Sequence, residues 1–512
     1  MPLERAHSIF VLMPEIAVVF QPEAYTLLAA LKAFFTGTGL DAFVVGGFPR
    51  DLVLNRQAMD IDVALDADID AIGQRLAEKL DARPVLLDEV NRIIRLVLRQ
   101  PGLQGWHVDL SLLYHSLDED LERRDFTLDA MSIALNELDL SSRQANLRIY
   151  DPLGGLNDIG AGLIRATGKE VFKNDSIRLL RAVRLAAELR FLIESGTESL
   201  IRRDSNLICT SAGERVREEL LRLLSLTGTA QSLLYMERLG LLTSLIPEII
   251  PSVGLEQHDE HQWNVFEHSA RSAAAFDFLL KRDAWPYAGE SVLDDVPWNT
   301  RLKMHFEKHL SPVSTHRELG KLAALLHDVA KPQTRTISNS GRLRFYGHPQ
   351  QGAAVAESIM ERLRFSSREN KLVSTVIRYH LRPVQMSHGD EMPSRRAVYR
   401  FVRDLGTAAE DTLFFSLADH LATRGENLDL TNWRHHANIV AYVLAEASRT
   451  EMASPRKLLD GYDLQRQFGL HPGPALGEIL DELREAQATG EIASRDEAIA
   501  YTKELIVKQD PK

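Results

Sequence analysis

The sequence predicts a mixed α/β fold near its N-terminus, followed by a longer helical run. Three observations carry this. Phe43, Val44 and Val45 form an apolar run that stops at Gly46-Gly47, the pattern of a buried strand entering a tight turn. Asp60-Ile61-Asp62 then opens a second strand continued by Val63, Ala64 and Leu65. Further on, Ile177, Leu180, Val183 and Leu185 recur at helical spacing within Lys173 to Arg190. At 512 residues the chain exceeds one core, and two to four domains are expected.

Taken in order, residues 1–20 read as an extension or a first short strand. The apolar run Ile9 to Phe20 contains Pro14 and Glu15, is too short to span a bilayer, and lacks a clear small-residue cleavage site. Pro22 to Gly39 reads as a helix with Leu27, Leu28, Leu31, Phe34 and Phe35 at its spacing. Asp70 to Leu80 is a second helix. Val85 to Leu87, Ile93 to Leu98 and His107 to Leu112 read as strands, with antiparallel pairing expected.

Side chains alternate along a strand, so Asp60 and Asp62 share a face while Ile61 points inward. Adjacent carboxylates repel unless a cation sits between them, and hard oxygen donors suit Mg2+. Two such ions serve an in-line phosphoryl displacement. The glycines let backbone N–H groups approach a phosphate. Asp109, in the strand VDLSLL, is either a third metal carboxylate or an edge-strand residue.

GG-x-x-R-D over Gly46 to Asp51, with D-x-D starting nine residues later at Asp60, resembles the nucleotidyltransferase head of the class II tRNA nucleotidyltransferase and bacterial poly(A) polymerase family. Arg123-Arg124-Asp125-Phe126-Thr127-Leu128-Asp129-Ala130 resembles that family's RRDFT-x-N-A signature, with Asp129 where the family has Asn. The resemblance implies that Gly46, Gly47 and Arg50 cradle a triphosphate and that Arg124 and Asp125 position the sugar and phosphates. An anion at Asp129 is unfavourable there unless it faces a metal or an arginine. Asp151 to Asp158 resembles the family's DPxGG-x-x-D connecting loop. The segment from Lys173 resembles its EDxxR helix, with Asn174 in place of the first acid. Asp175 and Arg178 are three apart and share a helix face, and one accepts where the other donates. The resemblance implies that this pair reads the Watson–Crick edge of cytosine or adenine. Arg181, Arg184 and Arg190 face either phosphate or water. Glu214 to Leu220 resembles the ERxxxEL helix that orders the neck.

Eleven of the 17 histidines fall between His258 and His420. His268, His327-Asp328, His348, His380 and Asp419 form the ordered set H…HD…H…H…D. It resembles the HD metal-dependent phosphohydrolase superfamily. In that fold His268, His327, Asp328 and Asp419 hold one divalent metal, with Asp328 able to bridge to a second ion held by His348 and His380. Imidazole with carboxylate suits Mn2+, Ni2+, Co2+, Fe2+ or Zn2+ better than Ca2+. Trp285 to Pro312 reads as an insertion whose start is loop. Residues 454–512 resemble the helical tail of HD-containing members, and the charged face from Glu478 to Glu491 is expected in solvent.

The 60 lysines and arginines against 72 aspartates and glutamates leave a formal charge of −12, which excludes a uniformly basic nucleic-acid binder but not a local basic face. Cys209 is the only cysteine, so no intrachain disulfide forms and a reducing cytoplasm fits. The fold class implied is an α/β nucleotidyltransferase head with a small mixed sheet and helices, then an all-α neck, an all-α HD domain and a helical tail. The boundaries are 1–20 for the extension, 21–150 for the head, 151–255 for the neck, 256–450 for the HD domain and 451–512 for the tail. The implied function is CCA addition to the 3′ end of tRNA from CTP and ATP, with Mg2+ on Asp60 and Asp62 and a second phosphohydrolase activity in the HD domain. Within the class the alternatives are an A-adding enzyme or a poly(A) polymerase, separated in the family largely by a flexible loop and neck detail. The alternative of another class is an HD phosphohydrolase or phosphodiesterase with the head as an RNA-binding module.

Overall fold

The computed structural model describes residues 15–89, 92–257, 261–281, 283–339, 342–387, 391–452 and 457–509. Most of the expected N-terminal extension lies outside these residues. Its last part, Glu15–Val19 (β1), pairs antiparallel with Gln144–Arg148 (β8) and so belongs to the head.

The chain divides into two compact units. The first runs to Ser211 and includes Leu239–Leu241; the second holds Ala212–Arg238 and everything from Leu242. The expected neck at 151–255 is therefore split between the two units.

In the first unit, Pro22–Thr38 (α1) buries Leu27, Leu28, Leu31 and Phe35, as its spacing requires. Ala42–Val45 (β2) turns through Gly46 into Gly47–Val53 (α2), and Asp60–Leu65 (β3) returns antiparallel beside β2. The helix Ile69–Leu80 (α3) is capped by the Asp68 carboxylate, which accepts from the Asp70 and Ala71 amides. Ala82–Asp88 (β4), Ile93–Leu98 (β5), His107–Leu112 (β6) and the short Ser132–Ala134 (β7) complete a six-stranded sheet. Its order is β4-β5-β6-β3-β2-β7. All neighbours are antiparallel except β3 and β6, which are parallel. The sheet is mixed, as expected, and its one parallel pair is made possible by the long β3-to-β6 excursion through α3, β4 and β5.

After β6 come Leu117–Glu122 (α4), then Gly155–Ala161 (α5), Val171–Asn174 (α6), Arg178–Leu189 (α7) and Ser195–Asp204 (α8). The Asp151 carboxylate caps α5 by accepting from the Gly155 and Leu156 amides at 2.7 and 2.9 Å. A Cβ on Gly155 would lie 2.3 Å from the Thr127 carbonyl oxygen, so only glycine lets this helix start against the RRDFT segment.

The second unit is helical, as expected, except for two short antiparallel pairs, His309–Ser311 with Ser314–Thr315 and Arg335–Ile337 with Leu343–Phe345. Gly213–Ser225 (α9), Thr229–Arg238 (α10) and Leu241–Leu245 (α11) precede its core. That core packs Val265–Leu279 (α12), Thr300–Glu307 (α13), His316–Leu326 (α14), His348–Arg362 (α15), Ser367–Tyr379 (α16), Arg382–Gln385 (α17), Arg395–Leu405 (α18), Ala409–Arg424 (α19) and Leu430–Met452 (α20). The expected insertion opens irregularly, as read, but then contributes α13. The buried Trp433 indole N–H donates to the Val292 carbonyl and ties the insertion to α20. Gly461–Phe468 (α21), Pro474–Ala488 (α22) and Arg495–Gln509 (α23) form the tail around Leu464, Ile479 and Ala498. The Glu478–Glu491 face is not simply solvated. Glu485 is buried and accepts from Arg400 Nε at 2.7 Å, and Arg396 of α18 pairs with Glu491. Gly155→Ala is expected to destabilise the first unit by about 1–3 kcal/mol, as forced overpacking does, read as a lower thermal midpoint for that unit.

Candidate active site and metal centre

Asp60 and Asp62 lie on β3, and the parallel register sets Asp62 directly beside Asp109 of β6. Burial, and then the charge of Asp60, pushes the Asp62 carboxyl up to about 7; Asp109 adds to the effect and Arg124 opposes it. Such a face fits a hard divalent cation. Asp109 faces the acid pair but has its own counter-charge. Arg95 of β5 forks onto it, Nε to Oδ1 at 2.8 Å and Nη2 to Oδ2 at 2.7 Å.

Gly46 has φ +77°, and a Cβ there would sit 2.4 Å from Asp62 Oδ2 and 3.3 Å from Arg124 Nη1. Glycine is thus required for the turn to lie against the acid. Arg124 faces both the turn and the acids, where an incoming phosphate would find it. At Gly47 a Cβ would meet the Arg50 guanidinium at 3.1 Å.

Arg50 departs from the phosphate-cradle expectation. It is buried, donating from Nη1 to Asp129 Oδ1 at 2.6 Å and from Nε and Nη2 to Asp51 at 3.0 and 2.9 Å. The chain's Asp in place of the family's Asn thereby has its arginine, and the charge at Asp129 is directed into the protein. Arg56 extends the network to Glu188, which also accepts from the buried Arg184 at 2.6 Å. Arg184 therefore faces neither phosphate nor water, whereas Arg190 is exposed.

Asp125 is also buried. Its burial opposes ionisation, but Arg181 at 2.7 Å and the nearby Arg178 hold it below the usual carboxylate range. The expected continuous helix from Lys173 to Arg190 is broken. α6 ends at Asn174, Asp175 is extended (φ −154°, ψ 106°), and α7 begins at Arg178. Asp175 and Arg178 meet around a corner rather than on one helix face. The Ser176 hydroxyl pins that corner to the Ser211 hydroxyl at 2.6 Å. Arg178 Nη2 donates to the Arg123 carbonyl at 2.9 Å, and the Arg123 guanidinium lies 3.6 Å above the Tyr114 ring. Arg178 and the RRD segment are thus directly connected.

In the second unit, all six expected ligands converge. His268 Nε2 lies 2.9 Å from Asp419 Oδ1 and 3.7 Å from Asp328 Oδ2. His327 Nε2 lies 3.0 Å from Asp328 and 3.6 Å from Asp419. His348 Nε2 is 3.5 Å from Asp328 Oδ1 and 3.4 Å from His380 Nε2. The backbone orients three of the rings. Nδ1–H of His327, His348 and His380 donates to the carbonyls of Ala324, Phe345 and Ile377 at 2.8, 2.7 and 2.7 Å. That leaves each Nε2 facing into the shared cluster, the orientation a metal-binding imidazole needs. Burial, then the neighbouring histidines, lowers His380 to about 3, so it stays neutral. The donor set fits one or two divalent transition ions.

The sequence reading missed His261, whose ring packs 5.3 Å from that of His268. It also missed Lys331, whose ammonium is 2.7 Å from Asp328. Lys331 sits three residues past the HD pair, one helical turn on, which was the available signal. A cavity of about 930 Å³ opens over the ligands, lined by Lys331, Arg342, Arg344, Arg378 and Arg382. Apart from Asp328 and Asp419, no carboxylate among the described residues lines it.

Sequence models of known families match along the chain: the Poly A polymerase head domain over 42–165 and the HD domain over 259–424. A second-domain model of tRNA nucleotidyltransferases matches 349–502. The A-adding tRNA nucleotidyltransferase of Deinococcus radiodurans is 32% identical over 468 residues, covering 90% of this chain and 95% of that one. The CC-adding tRNA nucleotidyltransferase of Thermus thermophilus is 31% identical over 471 residues, covering 91% and 93%. Among solved structures, a CCA-adding enzyme in complex with CTP has a TM-score of 0.63 at 20% identity, covering 96% of this chain and 97% of that one. The Thermotoga maritima CCA-adding enzyme complexed with tRNA has a TM-score of 0.57 at 20% identity, covering 96% and 97%, so both share the fold. The acid-bearing sheet and these matches define a nucleotidyltransferase. The chain belongs to the tRNA nucleotidyltransferase family.

Arg50→Met alone is expected to cost about 3–5 kcal/mol of stability, because it leaves Asp129 buried and uncompensated. Adding Asp129→Asn is expected to recover most of that loss, as a denaturation series on the three variants would measure. Asp62→Asn is expected to stabilise the metal-free protein, more at pH 8 than at pH 5. With its carboxyl raised to about 7, folded wild-type Asp62 keeps its proton while the unfolded chain ionises near 3.8, so the cost grows as pH rises between those two values and is complete above about 7. Thermal melts at both pH values check this.

Proposed function

We propose that the chain adds C residues to the 3′ end of tRNA, building part of the terminal CCA, with CTP as donor and pyrophosphate as product. The acid cluster of Asp60, Asp62 and Asp109, with one carboxyl forced towards neutrality, is the observation that carries the nucleotidyl transfer. Mg2+ held by Asp60 and Asp62 would supply the positive charge that stabilises the pentavalent phosphorus and the leaving oxygen. The tRNA 3′-hydroxyl oxygen attacks the α-phosphorus, the bond to the β-phosphate oxygen breaks, and the hydroxyl proton passes to solvent. Arg124 faces the position of the phosphates beside Gly46. Asp125, Arg181 and Arg178 brace the sugar and base side, and Asp175 with Arg178 presents an acceptor and a donor to the base edge. Arg50 acts one layer behind, holding α2 against Asp129.

Two arguments favour part of CCA addition over all of it. Accepting C twice and then A in one pocket requires its walls to change. Here Asp125 is tied to Arg181, Arg178 to the Arg123 carbonyl, and β6 reaches α4 through only the four residues Leu113–Ser116. In addition, relatives matched over nine-tenths of this chain are named CC-adding or A-adding, three of those four being CC-adding. In sequence, the relatives named CCA-adding match over about two-fifths of it, although solved CCA-adding enzymes share the fold over 96%.

The oriented histidines and basic cavity of the second unit support a further phosphohydrolase activity there, with a metal-bound set of His268, His327, Asp328, His348, His380 and Asp419. His327→Ala is expected to lower phosphoester hydrolysis by 10-fold or more and to leave nucleotide addition unchanged.

The test of addition uses tRNA transcripts ending before CCA, after C, and after CC, each with Mg2+ and CTP, ATP or both. The expected result is extension of the first two by C alone, stopping at CC, and loss of all extension in Asp60→Ala. Extension through A makes the chain a complete CCA-adding enzyme. A single A on the CC transcript alone makes it A-adding, and long A tails on unrelated RNA make it a poly(A) polymerase. Retained extension in Asp60→Ala overturns the site.

A further inference from the structure

The second unit holds another cluster of metal-ligating side chains, apart from the HD ligands. His305 of α13, His316 at the start of α14 and Asp411 of α19 bring one nitrogen or oxygen each within 4.8 Å of one another. His305 Nε2 is 2.9 Å from Asp411 Oδ2. His316 Nδ1 is 3.0 and 3.1 Å from the two Asp411 oxygens. These spacings match the His268–Asp419 and His327–Asp328 distances of the HD centre, 2.9 and 3.0 Å. α14 and α19 serve both clusters. His316 precedes His327 by about 16 Å of helix, and Asp411 precedes Asp419 by about 12 Å, at 1.5 Å per residue.

The surroundings are those of a built site. Asp411 is 1% exposed and His316 4% exposed. The other ring nitrogen of His305, Nδ1, lies 2.8 Å from Glu410 Oε2. Glu410, accepting from Nδ1–H, orients the ring so that Nε2 faces Asp411, the orienting contact that metal-binding histidines use, and an ion would take the place of the Nε2 proton that Asp411 accepts in its absence. Arg301 in turn pairs with Glu410 and holds it in place. A cavity of about 180 Å³, lined in part by Arg301, His305, His316 and Glu410, borders the cluster and leaves room for water in a remaining coordination position.

We propose that His305, His316 and Asp411 bind a divalent transition ion of the Zn2+ type, at a site separate from the HD centre. Two imidazoles and a carboxylate suit Zn2+ or Co2+ and do not suit Mg2+ or Ca2+. The ion would pin α13, contributed by the insertion between the first histidine and the HD pair, onto α14 and α19.

The test counts zinc on the full chain with the HD centre disabled by His327→Ala and Asp328→Ala. Protein stripped of metal is equilibrated with Zn2+, freed of excess, and analysed by mass spectrometry for metal content. The expected result is about one Zn2+ per chain, falling at least tenfold when either His316→Ala or His305→Gln is added. Co2+ in place of Zn2+ should give visible ligand-field bands that disappear with the same substitutions. Zinc absent from the HD-disabled chain would reduce the cluster to an ion pair between imidazolium and carboxylate and overturn the proposal. Zinc retained undiminished in both histidine variants would mean adventitious binding and overturn it equally. Circular dichroism identifies a misfolded variant. Should His316→Ala fail to fold, His305→Gln, at a half-buried residue on α13, decides alone.

Discussion

Carboxylates held side by side on one sheet face repel one another, and the surroundings of β3 and β6 contain that repulsion. The parallel register brings Asp62 and Asp109 together, and strand alternation adds Asp60. Arg95 neutralises the outermost acid from the neighbouring strand, while Arg124 faces the inner one. Gly46 keeps the turn close without a side chain. One carboxyl is still left near neutrality, and a cation among the acids would relieve that residual repulsion.

The HD centre meets the same requirement with different donors. Backbone carbonyls turn three of its imidazoles, and burial lowers His348 and His380 towards the neutral form, so ring nitrogens rather than negative charges do most of the converging. The two carboxylates, Asp328 and Asp419, supply the charge. The oxygen-rich donor set of the head and the nitrogen-rich set of the HD centre suit different ions, a hard one and a borderline one.

Much of this was legible in the sequence. The strand–turn–helix–strand unit around Gly46 and Asp60 is local, and local periodicity and turn chemistry report it. The HD set was legible as an ordered series of residue types, with His327, His348 and His380 at helix ends. What was not legible depends on partners distant in sequence. Nothing near Arg50 signals that Asp129, 79 residues on, will turn it inward. The break at Asp175 interrupts an apolar repeat that continues through it, so periodicity alone reads one helix. Asp109 could be seen as a strand residue, but the Arg95 fork depends on the β5–β6 register. His305, His316 and Asp411 come from three elements and share no motif, so no spacing announces them.

The pairing of β1 with β8 has a consequence for how the head comes into being. Glu15 finds its partner at Arg148, so the first described strand is made long before its mate exists. At a synthesis rate of about 5–20 residues per second, the interval is on the order of ten seconds. Through that time an edge-forming segment with the buried Val18 is without its complement, and contacts this far apart form late and slowly. The first described strand is therefore open to mispairing until Gln144–Arg148 has been made.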